Sequence, residues 1–184
     1  MFGCYLKQNV NFIETLFTEH YYINPHYTTE WAQLQYFAEK IARYCPYDSV
    51  NCMVGMMREK ERALCRPYPS KLDLIEKHGY DSKQLMHIQR LAYMFDDYTK
   101  QKPYAELLRM DWGRREHLWD IKAYCYSLAE AQRIAKQTVE YYSNRKAELE
   151  YTKTYNSDIN RIFDETLLRI LKQQFYWDLQ KGAT

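Results

Sequence analysis

Lys83, His87 and Arg90 are the residues whose types and spacing could do chemistry in this sequence. On a helical wheel at about 100° per residue with Lys83 as zero, His87 falls at about 40° and Arg90 at about −20°, so the three share one face. Lysine gives a point charge, arginine a bidentate fork and histidine a switchable donor, which together suit the oxygens of a phosphate group. Leu85, Ile88, Leu91, Ala92 and Phe95 fall between about 80° and 200° on the same wheel, so the cations stand off the apolar stripe. Their base lies near a helix N-terminus, whose partial positive charge also favours anions. The competing reading is a solvated face closed by ion pairs such as Arg90 to Asp97. Tyr80 can stack on a base or plug the gap beside Gly79, and Asp81 suits a helix cap better than a catalyst.

Helices must position these groups, because apolar residues recur at three- and four-residue spacing and only five glycines and five prolines interrupt them. Asp81 caps a long helix from Ser82 to about Lys100, and Gly79 closes a short one that Ser70 opens. A first short helix covers roughly Asn11 to His20. Thr28 or Thr29 caps a second, with Trp31, Leu34, Ala38, Ile41 and Cys45 as its stripe and Pro46 as its end. The next begins near Asp48 or Ser49, buries Val50, Met53, Val54, Met57 and Leu64, and stops at Pro67 and Pro69. Pro103 to Gly113 reads as a connector with a short turn of helix. Ser127 and Glu130 form a capping box that opens or re-starts a long helix running to about Glu150. Ser157 or Asp158 caps the last helix, whose Ile159, Ile162, Phe163, Leu167, Ile170, Leu171 and Phe175 face the core. The expected fold class is all-α, one domain over residues 1–184 with six or seven helices and little or no sheet.

Composition bounds the function. An apolar fraction of 46% with 27% charged residues is that of a globular chain able to fold alone. A net charge of +2 rules out coating nucleic acid through bulk charge, so any such contact needs a local patch. No run approaches the ~20 apolar residues that span a bilayer, and no leader pattern opens the chain. The expectation is a cytoplasmic protein with no membrane contact. Five scattered cysteines without a CxxC pair read as reduced, mostly buried thiols. The 19 tyrosines fit packing better than base stacking. His20 and His26 flank Pro25 at a poor metal spacing and read as loop residues. No Gly-rich phosphate loop or G-x-S-x-G elbow is present, and Arg114-Arg115-Glu116-His117 is too tight for a helical RNase site.

The segment Gly79-Tyr-Asp-Ser-Lys-Gln-Leu-Met-His-Ile-Gln-Arg-Leu91 resembles the G-Y-D-x-K-x-x-x-H-x-x-R-L motif of predicted nucleotidyltransferases of the DNA polymerase beta superfamily. Gly79, Tyr80, Asp81, Lys83, His87, Arg90 and Leu91 all match. Leu6 to Phe17 resembles the family's L-K-x-N-x-N-x-x-E-x-L-F segment, with Lys7, Asn9, Asn11 and Glu14 in the matching places. Leu107 to Gly113 is similar to L-L-x-I-R-x-G, but Met110-Asp111 stands where the pattern has isoleucine and arginine.

The resemblance places the chain in the C-terminal helical part of such an enzyme. It implies a separate N-terminal palm whose paired aspartates hold magnesium and act on a nucleoside triphosphate. It offers Lys83, His87, Arg90, Tyr80, Asp81, Lys7, Asn9 and Asn11 as nucleotide- or phosphate-binding candidates. Asp96-Asp97 are adjacent on a helix, about 100° apart, and read as a solvated pair rather than metal ligands, which need convergent carboxylates. The chain is therefore expected to be inactive in nucleotide transfer alone, with no catalytic or metal-ligating residue of its own. It would be a fragment, a split-gene subunit or a degenerate descendant working with a palm supplied elsewhere. The alternatives are an interaction or scaffold domain descended from that fold and, last, a small catalytic domain built on Lys83, His87 and Arg90 alone.

Overall fold

The computed structural model describes residues 2–182, with side chains to residue 180. Eleven α-helices and three short 3-10 turns make up the regular structure, and no strand occurs among the described residues. The chain is all-α, as its periodicity predicts, but with more helices than the six or seven expected. The extra ones arise where a predicted helix is broken or a weakly apolar stretch still folds. No helix among the described residues is long and apolar enough to cross a membrane.

Two compact units divide the chain, residues 1–46 with 154–184 and residues 47–153. The first holds α1 (Phe2–Leu6), α2 (Val10–Thr15), α3 (Thr28–Tyr36), α4 (Ala38–Ala42) and α11 (Ser157–Gly182). Tyr5, Ile13, Leu34, Ile41, Cys45 and Ile159 are among its most buried residues. The buried Gln8 takes a left-handed φ of 52° between α1 and α2. Its side-chain amide donates to the Tyr5 carbonyl at 2.7 Å and the Ile41 carbonyl at 2.8 Å, which satisfies backbone groups that burial would otherwise orphan.

Several sequence expectations change in this unit. The helix predicted over 28–45 breaks at Phe37, whose ψ of 9° leaves the helical range. Pro46 does not merely end that run. It opens α5 (Pro46–Ala63), because the first helical position needs no amide hydrogen. Asn156 caps α11 in place of Ser157 or Asp158, its Oδ1 accepting the Asp158 amide at 3.1 Å. In that helix Ile159, Ile162, Phe163 and Thr166 are buried, whereas Leu167, Leu171 and Phe175 of the predicted core stripe are exposed. His26 belongs to the 3-10 turn Pro25–Tyr27 and packs its ring 4.2 Å from that of Trp177.

The second unit runs from α5 through α6 (Leu72–His78), α7 (Ser82–Thr99), α8 (Tyr104–Leu107) and α9 (Trp112–Lys122) to α10 (Leu128–Glu148). Helix α7 is its axis and packs on α8, α9 and α10. Leu85, Ile88, Leu91, Ala92 and Phe95 are all buried, the stripe read from the sequence. The Ser127–Glu130 capping box forms as expected, with reciprocal side-chain and backbone bonds. Ser70, by contrast, caps nothing. It lies in the turn Pro69–Lys71, and α6 starts after Lys71. All five cysteines are free thiols, but only Cys45 is buried and Cys125 is exposed, so the expectation of mostly buried thiols fails.

Candidate anion-binding face

Gly79 starts the construction of this face. It ends α6 with φ 80°, a left-handed conformation that is cheap only without a Cβ, and an added Cβ would come 2.9 Å from Leu128. The chain then turns into α7. Asp81, 1% exposed, accepts the Lys83 amide at 3.0 Å through Oδ1. Its Oδ2 accepts the Tyr68 hydroxyl at 3.0 Å and the Gln84 amide at 3.1 Å. The carboxylate is thus a cap with both oxygens engaged, and the start of the α7 dipole already faces a negative charge. Attraction for an outside anion must come from side chains rather than from those backbone amides.

Tyr80 is 1% exposed, and its hydroxyl donates to the Tyr126 carbonyl at 2.9 Å. Its ring meets that of Tyr124 edge-on at 5.3 Å. The plug reading describes this position, and the ring has no surface on which a base could stack.

Lys83 is exposed, while His87 and Arg90 are half-buried. Burial, followed by the Arg90, Lys83 and Lys60 charges, pulls the His87 pKa below its ordinary value, and Asp81 opposes this more weakly. His87 is therefore a neutral imidazole among cations. Around the start of α7, Lys71, Lys83 and Lys122 line an open cleft of about 440 Å³ with Asp81, Ser82 and Tyr124, and His87 is not part of its wall. Three ammonium groups face one carboxylate, and none of the three is ion-paired among the described residues. Lys122 instead lies 4.8 Å from the ring centroid of the exposed Trp119. Lys71 and Lys122 were missed by sequence reasoning because they come from other elements, the turn before α6 and the end of α9.

Helix α9 brings Lys122 here by lying antiparallel to α7. Arg114, near its start, meets Asp97 near the end of α7 at 2.5 and 3.1 Å. His117 meets Tyr93 at 2.6 Å, and the Ser82 hydroxyl donates to the Lys122 carbonyl at 3.5 Å. Comparison with family models, curated proteins and solved structures gives no match.

The other candidates lie in the first unit. Lys7 and Asn11 are exposed, and Asn9 caps α2 by accepting the Asn11 amide at 3.1 Å. The third segment of the resemblance also has a local task, since Asp111 caps α9 by accepting the Arg114 amide at 2.9 Å.

Asp96 and Asp97 are not a solvated pair. Asp97, 3% exposed, binds Arg114 through two hydrogen bonds and Lys102 at 2.9 Å. These bonds hold its pKa below the ordinary carboxylate value. Asp96 accepts the Tyr142 hydroxyl at 2.8 Å and Arg145 at 2.6 Å. The two carboxylates are committed to separate cations and do not converge, so they do not fit the magnesium pair of a complete nucleotidyltransferase. Among the described residues no group of three or more His, Cys, Asp or Glu side chains could hold a metal ion.

Proposed function

We propose that the chain is a helical accessory module of a nucleotidyltransferase-like protein that presents a phosphate-binding face on α7. The observation that carries the reading is the cleft where Lys71, Lys83 and Lys122 gather around the start of α7. Unbalanced ammonium groups around a concave surface favour a polyanion, and an anion bound there would be held by several point charges. A nucleoside triphosphate or a nucleic-acid phosphate supplies that charge. The resemblance of residues 79–91 to the superfamily motif supports the nucleotide class, with a separate palm subunit holding magnesium and performing the transfer.

Thermal-shift titration with nucleoside triphosphates and short RNA, with and without magnesium, tests this. Stabilisation that is lost in the Lys83→Ala, Arg90→Ala double variant supports the reading. A chain that no nucleotide or RNA stabilises overturns it. A second reading, a non-enzymatic interaction domain, draws on the exposed Leu167, Leu168, Leu171, Phe175, Tyr176 and Leu179 of α11 and on the exposed Trp112 and Trp119 of α9. Exposed apolar side chains of that kind suit a protein partner.

A further inference from the structure

Helix α9 carries a repeating pattern on one side. With Lys122 as zero at about 100° per residue, Leu118 falls at about −40°, Arg115 at about 20°, Trp119 at about 60° and Trp112 at about 80°. Ile121, the buried residue of this helix, falls at about −100°, and the acids Glu116 and Asp120 lie farther round, at about 120° and 160°. Trp112, Arg115, Trp119 and Lys122 therefore alternate ring and cation along one face. Trp112 is 79% exposed and Trp119 64%, and Arg115 is exposed as well. The Lys122 ammonium lies over the Trp119 ring, 4.8 Å from its centroid.

This face runs into the lysine cleft. Met86, Arg115, Leu118, Trp119 and Lys122 line an open cavity of about 240 Å³, with no carboxylate in its wall. Met86 and Lys122 also line the larger cleft of Lys71 and Lys83, so the two adjoin. Ammonium and guanidinium groups suffice to hold phosphate, and exposed indoles add nothing to that task. They offer flat faces on which bases stack, and a cationic track set with aromatic rings is how proteins grip single strands. In a duplex the base faces are already covered by one another. Trp112 and Trp119 are seven residues apart, about 10 Å along the helix axis. That is roughly three times the ~3.4 Å rise between stacked bases. One nucleotide reaches one ring, whereas a strand with its bases spread reaches both.

We propose that this face of α9 binds single-stranded nucleic acid in preference to a free nucleotide, an inference that rests on the phosphate-binding reading of the adjoining cleft. Trp112 and Trp119 stack on separate bases. Arg115, Lys122, Lys83 and Lys71 follow the phosphates. All of these residues belong to the second unit.

The test is fluorescence anisotropy of end-labelled strands with the full chain at constant ionic strength, since phosphate contacts alone make affinity depend on salt. The probe is an oligoadenylate of about ten nucleotides, within the site sizes usual for single-strand binders, as RNA and as DNA. An abasic strand of the same length and charge, a blunt GC-rich duplex of that length and unlabelled ATP complete the set. The tighter of the two oligoadenylates should bind at least about tenfold more tightly than the abasic strand, the duplex or ATP. Trp112→Ala and Trp119→Ala should each weaken it at least about fivefold and leave the abasic strand unchanged, and Trp119→Phe should recover most of the loss. An abasic strand held equally tightly would leave the phosphate-binding reading standing and overturn the base platform. A duplex held equally tightly, or ATP that competes as well as the strand, would overturn the single-strand class. No binding of any strand would overturn the proposal, and the thermal-shift titration with nucleoside triphosphates then shows whether the phosphate-binding reading falls with it. The comparison of probes uses the unaltered protein, so it decides the matter even where a variant does not fold.

Discussion

The two ends of α7 carry opposite charges and treat them in opposite ways. At the C-terminal end the acids Asp96 and Asp97 are closed off by Arg145, Tyr142, Arg114 and Lys102. At the N-terminal end Lys83 stands exposed, with Lys71 and Lys122 on neighbouring elements and a single, fully engaged carboxylate at Asp81. One end spends its charges on holding helices together, and the other leaves charge available to a ligand. The difference separates stability from binding along one helix, which is why basic residues alone do not mark a site. Arg114 and Lys83 are both cations within reach of α7, but only one has a buried partner.

Breaking the closed end gives the largest expected effect. Arg114→Leu leaves the Asp97 carboxylate buried with only the exposed Lys102 to oppose it, at a cost of about 3 kcal/mol in urea unfolding. A loss below about 1 kcal/mol, the range of exposed pairs, would mean that the ion pair is no more than a surface contact. The next effect sharpens the view that the lone acid of the open end is structural. Asp81→Ala removes the cap of α7 and two side-chain hydrogen bonds, at a cost of about 1–2 kcal/mol. Destabilisation no greater than that of an ordinary surface change would return Asp81 to the ligand-binding candidates.

The smallest effect is the pH response of His87. Its folded pKa lies below the ordinary 6.5, so as pH falls past that value the unfolded chain takes up a proton before the folded one does. Stability contributed by neutral His87 is present above that pH and declines below it, and His87→Gln should flatten this part of the pH profile. An unchanged profile would show that neither burial nor the surrounding cations disfavour the charged imidazole there. Sulfate does not titrate in this range, and its binding would raise the His87 pKa, so its affinity should strengthen as pH falls and lose that dependence in His87→Gln.

Much of α7 and its surroundings was legible because each signal was local. The Asp81 cap, the left-handed Gly79, the Ser127–Glu130 box and the buried stripe from Leu85 to Phe95 depend on residues within a few positions of one another. The candidate face was legible in part, since Lys83, His87 and Arg90 share a helix while Lys71 and Lys122 arrive from elsewhere in the fold. Tertiary partners account for what was misread. Asp97 finds Arg114 across 17 residues and Asp96 finds Arg145 across 49, distances no wheel reports. Helix α9 was missed because Ile121 is its single buried residue, although Asp111 at its start was a usable cap signal. The break at Phe37 has no glycine or proline to announce it. The regular spacing of Leu167, Leu171 and Phe175 says that they share a side of α11, but not that a neighbour covers it.

The antiparallel register of α9 on α7 makes the closed end a calibration point for the open one. Arg114 and Lys122 are eight residues apart on a rigid rod of about 1.5 Å rise per residue, so the Arg114–Asp97 clasp fixes how far Lys122 can travel from Lys83. Loosening the clasp would let the gap between the two ammonium groups wander. A substitution there would then blur the fit of any polyanion it never touches.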